Sequence, residues 1–317
     1  MTAECCWLGS CLLSRPQLKN TDITLWVYNI RFRHTLEVDA KGTREFEMKR
    51  FIFIRMFTIV LSFALMTIDG FAQTGEGENY EPRVGQDGKD VMWVPTPQAN
   101  VDTMLNMAKV TASDYVIDLG SGDGRTVITA AKRGATAMGI EYNPEMVELA
   151  KRNADKEGVN AKATFVKADL FESDFSKASV ITMFLLPRIN LELRPKILDM
   201  KPGTRVVSNS FDMADWQPDQ ITNITEDCAG WCTAYLWIVP AKVNGIWKLD
   251  NGQIRFEQEF QNITGTLTTG GKDVPLAGKL DGDKISFNAG GTEYSGTING
   301  STISGTRSGS GSWKAVR

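Results

Sequence analysis

The residues of this chain that could do chemistry are three carboxylates and a glycine-rich turn. Asp118 begins the run Asp118-Leu-Gly-Ser-Gly-Asp-Gly124, in which every second residue from position 120 is glycine. Glycines let the backbone approach a ligand closely and adopt positive φ angles. Carboxylates that follow neighbouring strands can accept hydrogen bonds from the hydroxyl groups of a nucleotide. The pattern therefore predicts a site for a nucleotide-like ligand.

A strand, a turn and a helix must place these glycines. Residues 115–119 are typical of a short buried strand, and residues 126–132 follow the turn with helical spacing. This order puts the turn at the carboxyl end of a strand, where open α/β sheets bind their ligands. Ahead of the strand, Thr96 is predicted to cap another helix, with Pro97 at its first position.

Two further strands, each followed by an acid, extend the predicted sheet. The second strand ends in Glu141, whose carboxylate is placed to accept hydrogen bonds from two ribose hydroxyls. The third strand, over residues 163–167, is followed by Ala168-Asp169-Leu170. A carboxylate at position 169 can accept a hydrogen bond from the exocyclic amine of an adenine.

An acid before a G-x-G-x-G turn, an acid after strand two and Ala-Asp-Leu after strand three together resemble the class I methyltransferases that use S-adenosylmethionine (SAM). The resemblance implies a Rossmann-like α/β domain over residues 93–241 and SAM as the cofactor. A nicotinamide dinucleotide is the alternative, but folds that bind it use the spacing G-x-G-x-x-G, which this turn lacks. The cofactor-binding residues that the resemblance implies are Thr96, Asp118, Gly120, Gly122, Gly124, Glu141, Asp169 and Leu170.

Four segments carry a closer resemblance: Val94-Pro-Thr-Pro97, Asp118-Leu-Gly-Ser-Gly-Asp-Gly-Arg125, Leu185-Leu-Pro187 and Phe211-Asp-Met-Ala-Asp-Trp216. Together they resemble the small lysine N-methyltransferase family, known from mitochondrial enzymes that act on the ATP synthase c-subunit and the adenine nucleotide translocase, with bacterial relatives. The resemblance favours a lysine of a protein as the methyl acceptor, with a membrane or envelope protein as one candidate substrate. It does not fix the acceptor, and a small molecule stays an alternative.

The segment after the fourth predicted strand, residues 180–184, departs from a common methyltransferase pattern. It reads Phe184-Leu-Leu-Pro187 where many amine and amide methyltransferases carry Asn/Asp-Pro-Pro-aromatic. These apolar residues either line a channel for a lysine stem or pack in the core, and both interpretations stay open. A lysine amine, with a pKa of about 10.4, must lose a proton before it attacks. We predict Asp212, in the segment that closes the fifth strand, as the proton acceptor and Asn190 as the residue that orients the amine.

The N-terminal residues indicate export. A basic start at Met48-Lys-Arg50, an apolar run and a small residue at Ala72 predict a secretory signal peptide over residues 48–72, and hence a periplasmic or secreted protein. A membrane anchor or an organellar leader is the alternative. Residues 1–47 are then a leader or non-native extension, and residues 73–92 a linker.

Histidine and net charge limit the chemistry and the partners. The one histidine, His34, falls in the N-terminal extension, so catalysis by a histidine-activated nucleophile and a metal site are not expected. The net charge of −3 does not indicate a nucleic-acid partner, which would need a basic face. Cys228 and Cys232 could form a disulfide in an oxidising compartment or remain free thiols, and the spacing does not decide.

Residues 242–317 have a different pattern, without a recognisable catalytic constellation. Apolar and polar residues alternate, and turn signals such as Asp250-Asn-Gly252 and Asn299-Gly300 recur about every ten residues. Seven or eight short antiparallel strands are predicted to close into a small barrel, with Trp247 and Trp313 near its ends.

The predicted function is that of a SAM-dependent methyltransferase acting on a protein lysine. One alternative keeps the enzyme class but gives it a small-molecule or lipid acceptor. The other is a non-catalytic envelope protein that retains the methyltransferase fold and binds a partner through its barrel.

Overall fold

The computed structural model describes residues 80–225, 228, 230–309 and 311–317. The predicted signal peptide (48–72) and the extension before it lie outside these residues. Within them, a seven-stranded mixed α/β sheet is followed by a closed antiparallel barrel, so the predicted fold class is confirmed. None of the helices in these ranges has the length and hydropathy needed to cross a membrane.

The sheet and its helices occupy residues 98–238. In chain order they are α1 (Gln98–Met107), β1 (Tyr115–Leu119), α2 (Arg125–Lys132), β2 (Thr136–Glu141), α3 (Pro144–Lys156), β3 (Ala163–Lys167), β4 (Val180–Met183), α4 (Pro187–Leu198), β5 (Arg205–Asn209), β6 (Gln220–Asn223) and β7 (Thr233–Ile238). The strand order is β3-β2-β1-β4-β5-β7-β6. Strands β1 to β5 pair in parallel, and β7 runs antiparallel to β5 and β6.

The central strands are apolar because helices cover both faces of a parallel sheet. All four residues of β4 are buried, as are the last four of β1. The direction of the strand order reverses between β1 and β4, and in open α/β sheets such a reversal opens a crevice at the carboxyl ends of the strands. The fold therefore places a binding site where the glycine-rich turn and the predicted acids lie.

Two local predictions are wrong. Helix α1 begins at Gln98 with Pro97 as its N-cap, and no side chain caps it. Thr96 instead lies one residue before the N-cap position. Its carbonyl oxygen accepts a hydrogen bond from Arg125 Nη1 at 2.9 Å. The fifth strand ends at Asn209, so residues 211–216 form the loop that follows it rather than its last residues.

The barrel consists of eight strands, which is the upper value of the predicted range. They are β8 (Gly245–Leu249), β9 (Gly252–Glu259), β10 (Asn262–Thr269), β11 (Lys272–Asp281), β12 (Lys284–Ala289), β13 (Thr292–Asn299), β14 (Thr302–Arg307) and β15 (Ser312–Val316). Each strand pairs with the next, and β15 pairs with β8 to close the barrel. Apolar side chains fill the interior, and both Trp247 and Trp313 are buried among them.

Buried contacts connect the sheet to the barrel. The Trp216 indole stacks on Phe260 at 5.9 Å between centroids, and its Nε1 donates to Gln261 Oε1 at 3.0 Å. Gln261 Nε2 in turn donates to the carbonyl oxygen of Gln217 at 2.7 Å. The predicted boundary at residue 242 therefore lies next to a packed, hydrogen-bonded contact, and the independence of residues 242–317 stays a prediction.

Candidate active site

A cleft of about 530 Å³ lies at the carboxyl ends of β1, β2 and β4. Pockets of about 300–1,000 Å³ are typical of small-molecule sites. Of the eight residues predicted to bind the cofactor, seven line this cleft: Thr96, Asp118, Gly120, Gly122, Glu141, Asp169 and Leu170. The fold thus brings together residues that are far apart in the sequence.

The turn after β1 requires its glycines for different reasons. Gly120, Gly122 and Gly124 all have positive φ angles, of 79°, 53° and 84°. A Cβ on Gly122 would lie 2.7 Å from Trp93 Nε1 at the cleft. A Cβ on Gly124 would lie 2.7 Å from the Phe165 ring, between helix and sheet. Gly124, the predicted residue that does not line the cleft, therefore permits close packing of α2 against the sheet.

Glu141, the last residue of β2, lies across from this turn. Its Oε2 accepts the N–H of Gly122 at 3.0 Å, and its Oε1 accepts the N–H of Asn143 at 2.9 Å. These bonds fix the carboxylate at the wall of the cleft. A carboxylate can accept about four hydrogen bonds, so Glu141 has the capacity to bind two hydroxyls of a ligand as well.

Asp118 is a buried carboxyl at the floor of the cleft. The residue is 6% exposed, and Thr182 Oγ1 donates to its Oδ1 at 2.6 Å. Burial raises the pKa of this carboxyl to about 7, and the negative charges of Glu141 and Asp123 contribute to the increase. Hydrogen bonds from the Thr182 and Thr126 hydroxyls act in the opposite direction and lower the pKa. A cation bound in the cleft would favour the ionised form. The pair of nearby acids and the buried carboxyl therefore suit a ligand that carries positive charge.

Asp169 is paired with a lysine that the sequence patterns do not identify. Its Oδ2 binds Lys89 Nζ, and its Oδ1 accepts the N–H of Phe171 at 2.9 Å. The Lys89 hydrogen bond lowers the pKa of Asp169. Lys89 Nζ also lies 5.0 Å from the centre of the Tyr142 ring and 6.0 Å from that of Phe171. Residues 86–96 line the cleft, so the end of the predicted linker forms one of its walls.

The opposite wall of the cleft is aromatic. Phe184, Phe211 and Trp231 all line it. The rings of Phe184 and Phe211 stack with centroids 6.0 Å apart, and Trp231 approaches Phe184 edge-on at 5.9 Å. Cys228 and Cys232, on either side of Trp231, form a disulfide. The C-x3-C spacing around a tryptophan is the sequence signal that marks this loop.

The two predicted catalytic residues do not line the cleft. Asn190 is fully buried in α4, and its Nδ2 donates to the carbonyl oxygens of Phe211 and Asp212 at 3.2 and 3.1 Å. It thereby holds the loop that carries Phe211. Asp212 is exposed, and its Oδ1 accepts the N–H of Ala214 at 3.1 Å. Their roles in amine orientation and proton transfer stay predictions.

Comparison with known proteins gives one family result. The family model described as "ANTKMT methyltransferase domain" matches residues 118–220. A protein-lysine N-methyltransferase of Saccharolobus islandicus is 45% identical over 152 residues, which are 47% of this chain and 94% of that protein. The lysine N-methyltransferase of the ATP synthase c-subunit from Homo sapiens is 36% identical over 131 residues. Those residues are 41% of this chain, and the chain spans about half the human protein, 56% of its length.

One solved structure is also similar to this chain. It is that of an RNA methyltransferase from Salinibacter ruber in complex with S-adenosyl-L-homocysteine, with 45% sequence identity and a TM-score of 0.45. The match covers 47% of this chain and 96% of that one.

Proposed function

Since the chain belongs to the family of SAM-dependent protein-lysine N-methyltransferases, we propose that it transfers a methyl group from SAM to the side-chain amine of a lysine in a protein. The observation that carries the proposal is the composition of the cleft. One half is lined by carboxylates and a glycine turn, and the other by aromatic rings. The first half suits a charged nucleoside, and the second suits the alkyl stem of the acceptor.

The polar half of the cleft fits SAM. Glu141 would accept the ribose hydroxyls, since its existing bonds leave it capacity for two more donors. Asp118 would bind a positively charged group of the cofactor, which would offset the burial that raises its pKa. Asp169 would accept a hydrogen bond from the adenine amine. Lys89, which binds the Asp169 carboxylate, would then have to share or release it. SAM supplies a methyl carbon bonded to a positively charged sulfur.

The protein's part in methyl transfer is mainly alignment and proton removal. The amine nitrogen forms the new bond to the methyl carbon, the methyl–sulfur bond breaks with its electron pair on sulfur, and the amine loses one proton. Holding the nucleophile in line removes much of the entropic barrier, and the nearby positive charge of the SAM sulfur favours the neutral form of the amine. Asp212 follows Phe211 in the acceptor-side loop, so we keep its exposed carboxylate as the proposed proton acceptor.

We also propose that the protein acts outside the cytosol, on a lysine of a membrane or envelope protein. The signal-peptide pattern of residues 48–72 supports export. The Cys228–Cys232 disulfide supports it independently, because disulfides persist mainly in oxidising compartments. Cell fractionation with sequencing of the mature N-terminus tests this: a chain found in the cytosol with residues 48–72 intact would contradict it.

The function is tested with methyl-labelled SAM and an envelope fraction of the source organism. We expect label on lysine side chains, identified by mass spectrometry of digested proteins. The Glu141→Ala variant is the control, since it should lose label in proportion to its loss of SAM affinity. Label found only in lipids or small molecules would favour the alternative acceptor. SAM binding without any transfer would favour a non-catalytic binding protein.

A further inference from the structure

The aromatic wall, defined as Phe184, Phe211 and Trp231, is built from three separate segments of the chain. Phe184 follows β4, Phe211 follows β5 and Trp231 precedes β7. The rings are close together, with centroids 6.0 Å apart for the two phenylalanines and 5.9 Å apart for Phe184 and Trp231. All three line the cleft that also contains Asp118 and Glu141. The wall is therefore continuous with the proposed cofactor site.

Trp231 is held in an unfavourable position. It is 50% exposed, and its φ angle of 57° lies in the left-handed region. Both features cost free energy for a large apolar residue, and such backbone conformations concentrate at functional sites. The carbonyl oxygen of Trp231 accepts a hydrogen bond from Asn100 Nδ2 at 2.7 Å, and Asn100 is fully buried in α1. A buried side chain thus anchors the backbone of an exposed tryptophan.

The disulfide fixes the same loop from the other side. The bridge between Cys228 and Cys232 closes a short loop that includes Trp231. The N–H of Ile224 also donates to the carbonyl oxygen of Cys232 at 2.7 Å, which ties the loop to the strands that flank it. Reduction of the bridge would remove one of these restraints and let Trp231 leave the wall without disturbing Asp118 or Glu141.

Resting on the proposed lysine methylation, we propose that the aromatic wall binds the acceptor lysine and that the Cys228–Cys232 bridge positions Trp231 for this. The ring faces contact the alkyl stem, and their negative quadrupole attracts an ammonium or N-methylammonium group within about 6 Å. An uncharged side chain of the same length gains the apolar contact but not the cation–π attraction. The wall therefore selects lysine, and its methylated forms, over neutral residues.

Acceptor binding is measured by NMR on the full chain, labelled at its tryptophan indoles and saturated with S-adenosyl-L-homocysteine. The Trp231 signal is identified by its absence in Trp231→Phe. The probe is Nα-acetyl-lysine amide, and the matched control probe is Nα-acetyl-norleucine amide, which has a similar alkyl stem without the charge. We expect the lysine probe to shift the Trp231 signal saturably, with an affinity about tenfold higher than that of the norleucine probe.

Two variants test the wall and the bridge. Trp231→Ala should raise the KM for a lysine acceptor about tenfold and leave the SAM dissociation constant unchanged, whereas Trp231→Phe should recover part of the loss. The matched control is Ile246→Ala, which removes an exposed apolar side chain from β8 of the barrel. The double variant Cys228→Ser/Cys232→Ser, and the parent protein under dithiothreitol, should lose affinity for the lysine probe several-fold.

The outcomes separate this proposal from the proposed function. If the lysine probe does not shift the Trp231 signal, the aromatic wall is not the acceptor site, even where label appears on lysine. If the signal shifts equally with norleucine, the charge-selective part is overturned. If the Trp231 signal responds to lysine but no lysine is ever methylated, the wall stands and the proposed activity fails. Unchanged affinity after loss of the bridge would overturn the positioning role of the disulfide.

Discussion

Neutralising Asp118 should make the cofactor-free protein more stable at neutral pH while weakening SAM binding. Burial, together with the charges of Glu141 and Asp123, raises the pKa of this carboxyl from 3.8 to about 7. Each pH unit of difference corresponds to about 1.4 kcal/mol. Between pH 4 and 7 the raised pKa therefore changes the free energy of unfolding by about 4 kcal/mol.

The sign follows from proton binding. Between pH 4 and 7 the folded state keeps the Asp118 proton and the unfolded state does not, so the free energy of unfolding falls as the pH rises through this window. The amide side chain of Asp118→Asn would carry no charge at any pH and would not show this loss. The stability of this variant relative to the parent should therefore increase by about 3 kcal/mol from pH 5 to pH 8.

Urea unfolding of both proteins at pH 5, 6, 7 and 8, without SAM, measures this difference. Asp114→Asn, just before the same strand, is the matched control. Burial alone would raise the Asp114 pKa, but hydrogen bonds from Arg205, Thr111 and Ser179 outweigh it and lower the pKa. The ionised Asp114 carboxylate stabilises the folded protein at every pH above the pKa that the residue has in the unfolded chain. Asp114→Asn should therefore destabilise the protein at neutral pH. A difference between Asp118→Asn and the parent that is independent of pH would refute the reasoning.

Three further variants test the cleft and its surroundings. Glu141→Ala should weaken SAM binding by about 1–3 kcal/mol in a calorimetric titration, because ribose hydroxyls and backbone amides lose their acceptor; equal affinity would contradict the ribose role. Asp212→Asn should slow methyl transfer by about 10²-fold with near-normal SAM affinity if the carboxylate takes the proton, and an unchanged rate would remove it from the mechanism. Gln261→Ala should lower the free energy of unfolding by about 1–3 kcal/mol, because the buried Trp216 indole N–H loses its acceptor; a neutral effect in urea unfolding would mean that the contact between sheet and barrel is relaxed.

The polar half of the cleft could be predicted from the sequence because its residues follow strands. Asp118, Glu141 and Asp169 each lie at or just after the carboxyl end of a parallel strand. In an open α/β sheet these ends meet at one edge, so residues far apart in the chain must converge there. The pattern of strands along the chain is therefore enough to predict that the three acids lie close together. The barrel was predictable for a similar reason, since period-two alternation and regular turns describe a meander of neighbouring strands.

The acceptor half could not be predicted in the same way because its residues are in loops. Phe211 and Asp212 are neighbours in the chain, but Phe211 lines the cleft and Asp212 is exposed to solvent. No periodicity distinguishes the two, because loop direction is set by contacts such as those of Asn190 Nδ2 with both carbonyl oxygens. The prediction of Asp212 as proton acceptor rests on its residue type and on its place after the fifth strand, and neither fixes the direction of the side chain.

Lys89 lines the cleft, but no pattern in the sequence marks it as a site residue. It belongs to the predicted linker over residues 73–92, which has neither strand nor helix periodicity. A turn nevertheless brings it back to the cleft, with the N–H of Gly85 donating to the carbonyl oxygen of Trp93 at 2.8 Å. The lysine then pairs with Asp169, 80 residues further along the chain. The exposed ion pair contributes little stability, so little free energy would be needed to break it. If Asp169 accepts the adenine amine, as we propose, Lys89 and the cofactor would compete for the same carboxylate. In that case segment 80–96 would rearrange when SAM binds, or Lys89 would share the Asp169 carboxylate with the adenine amine.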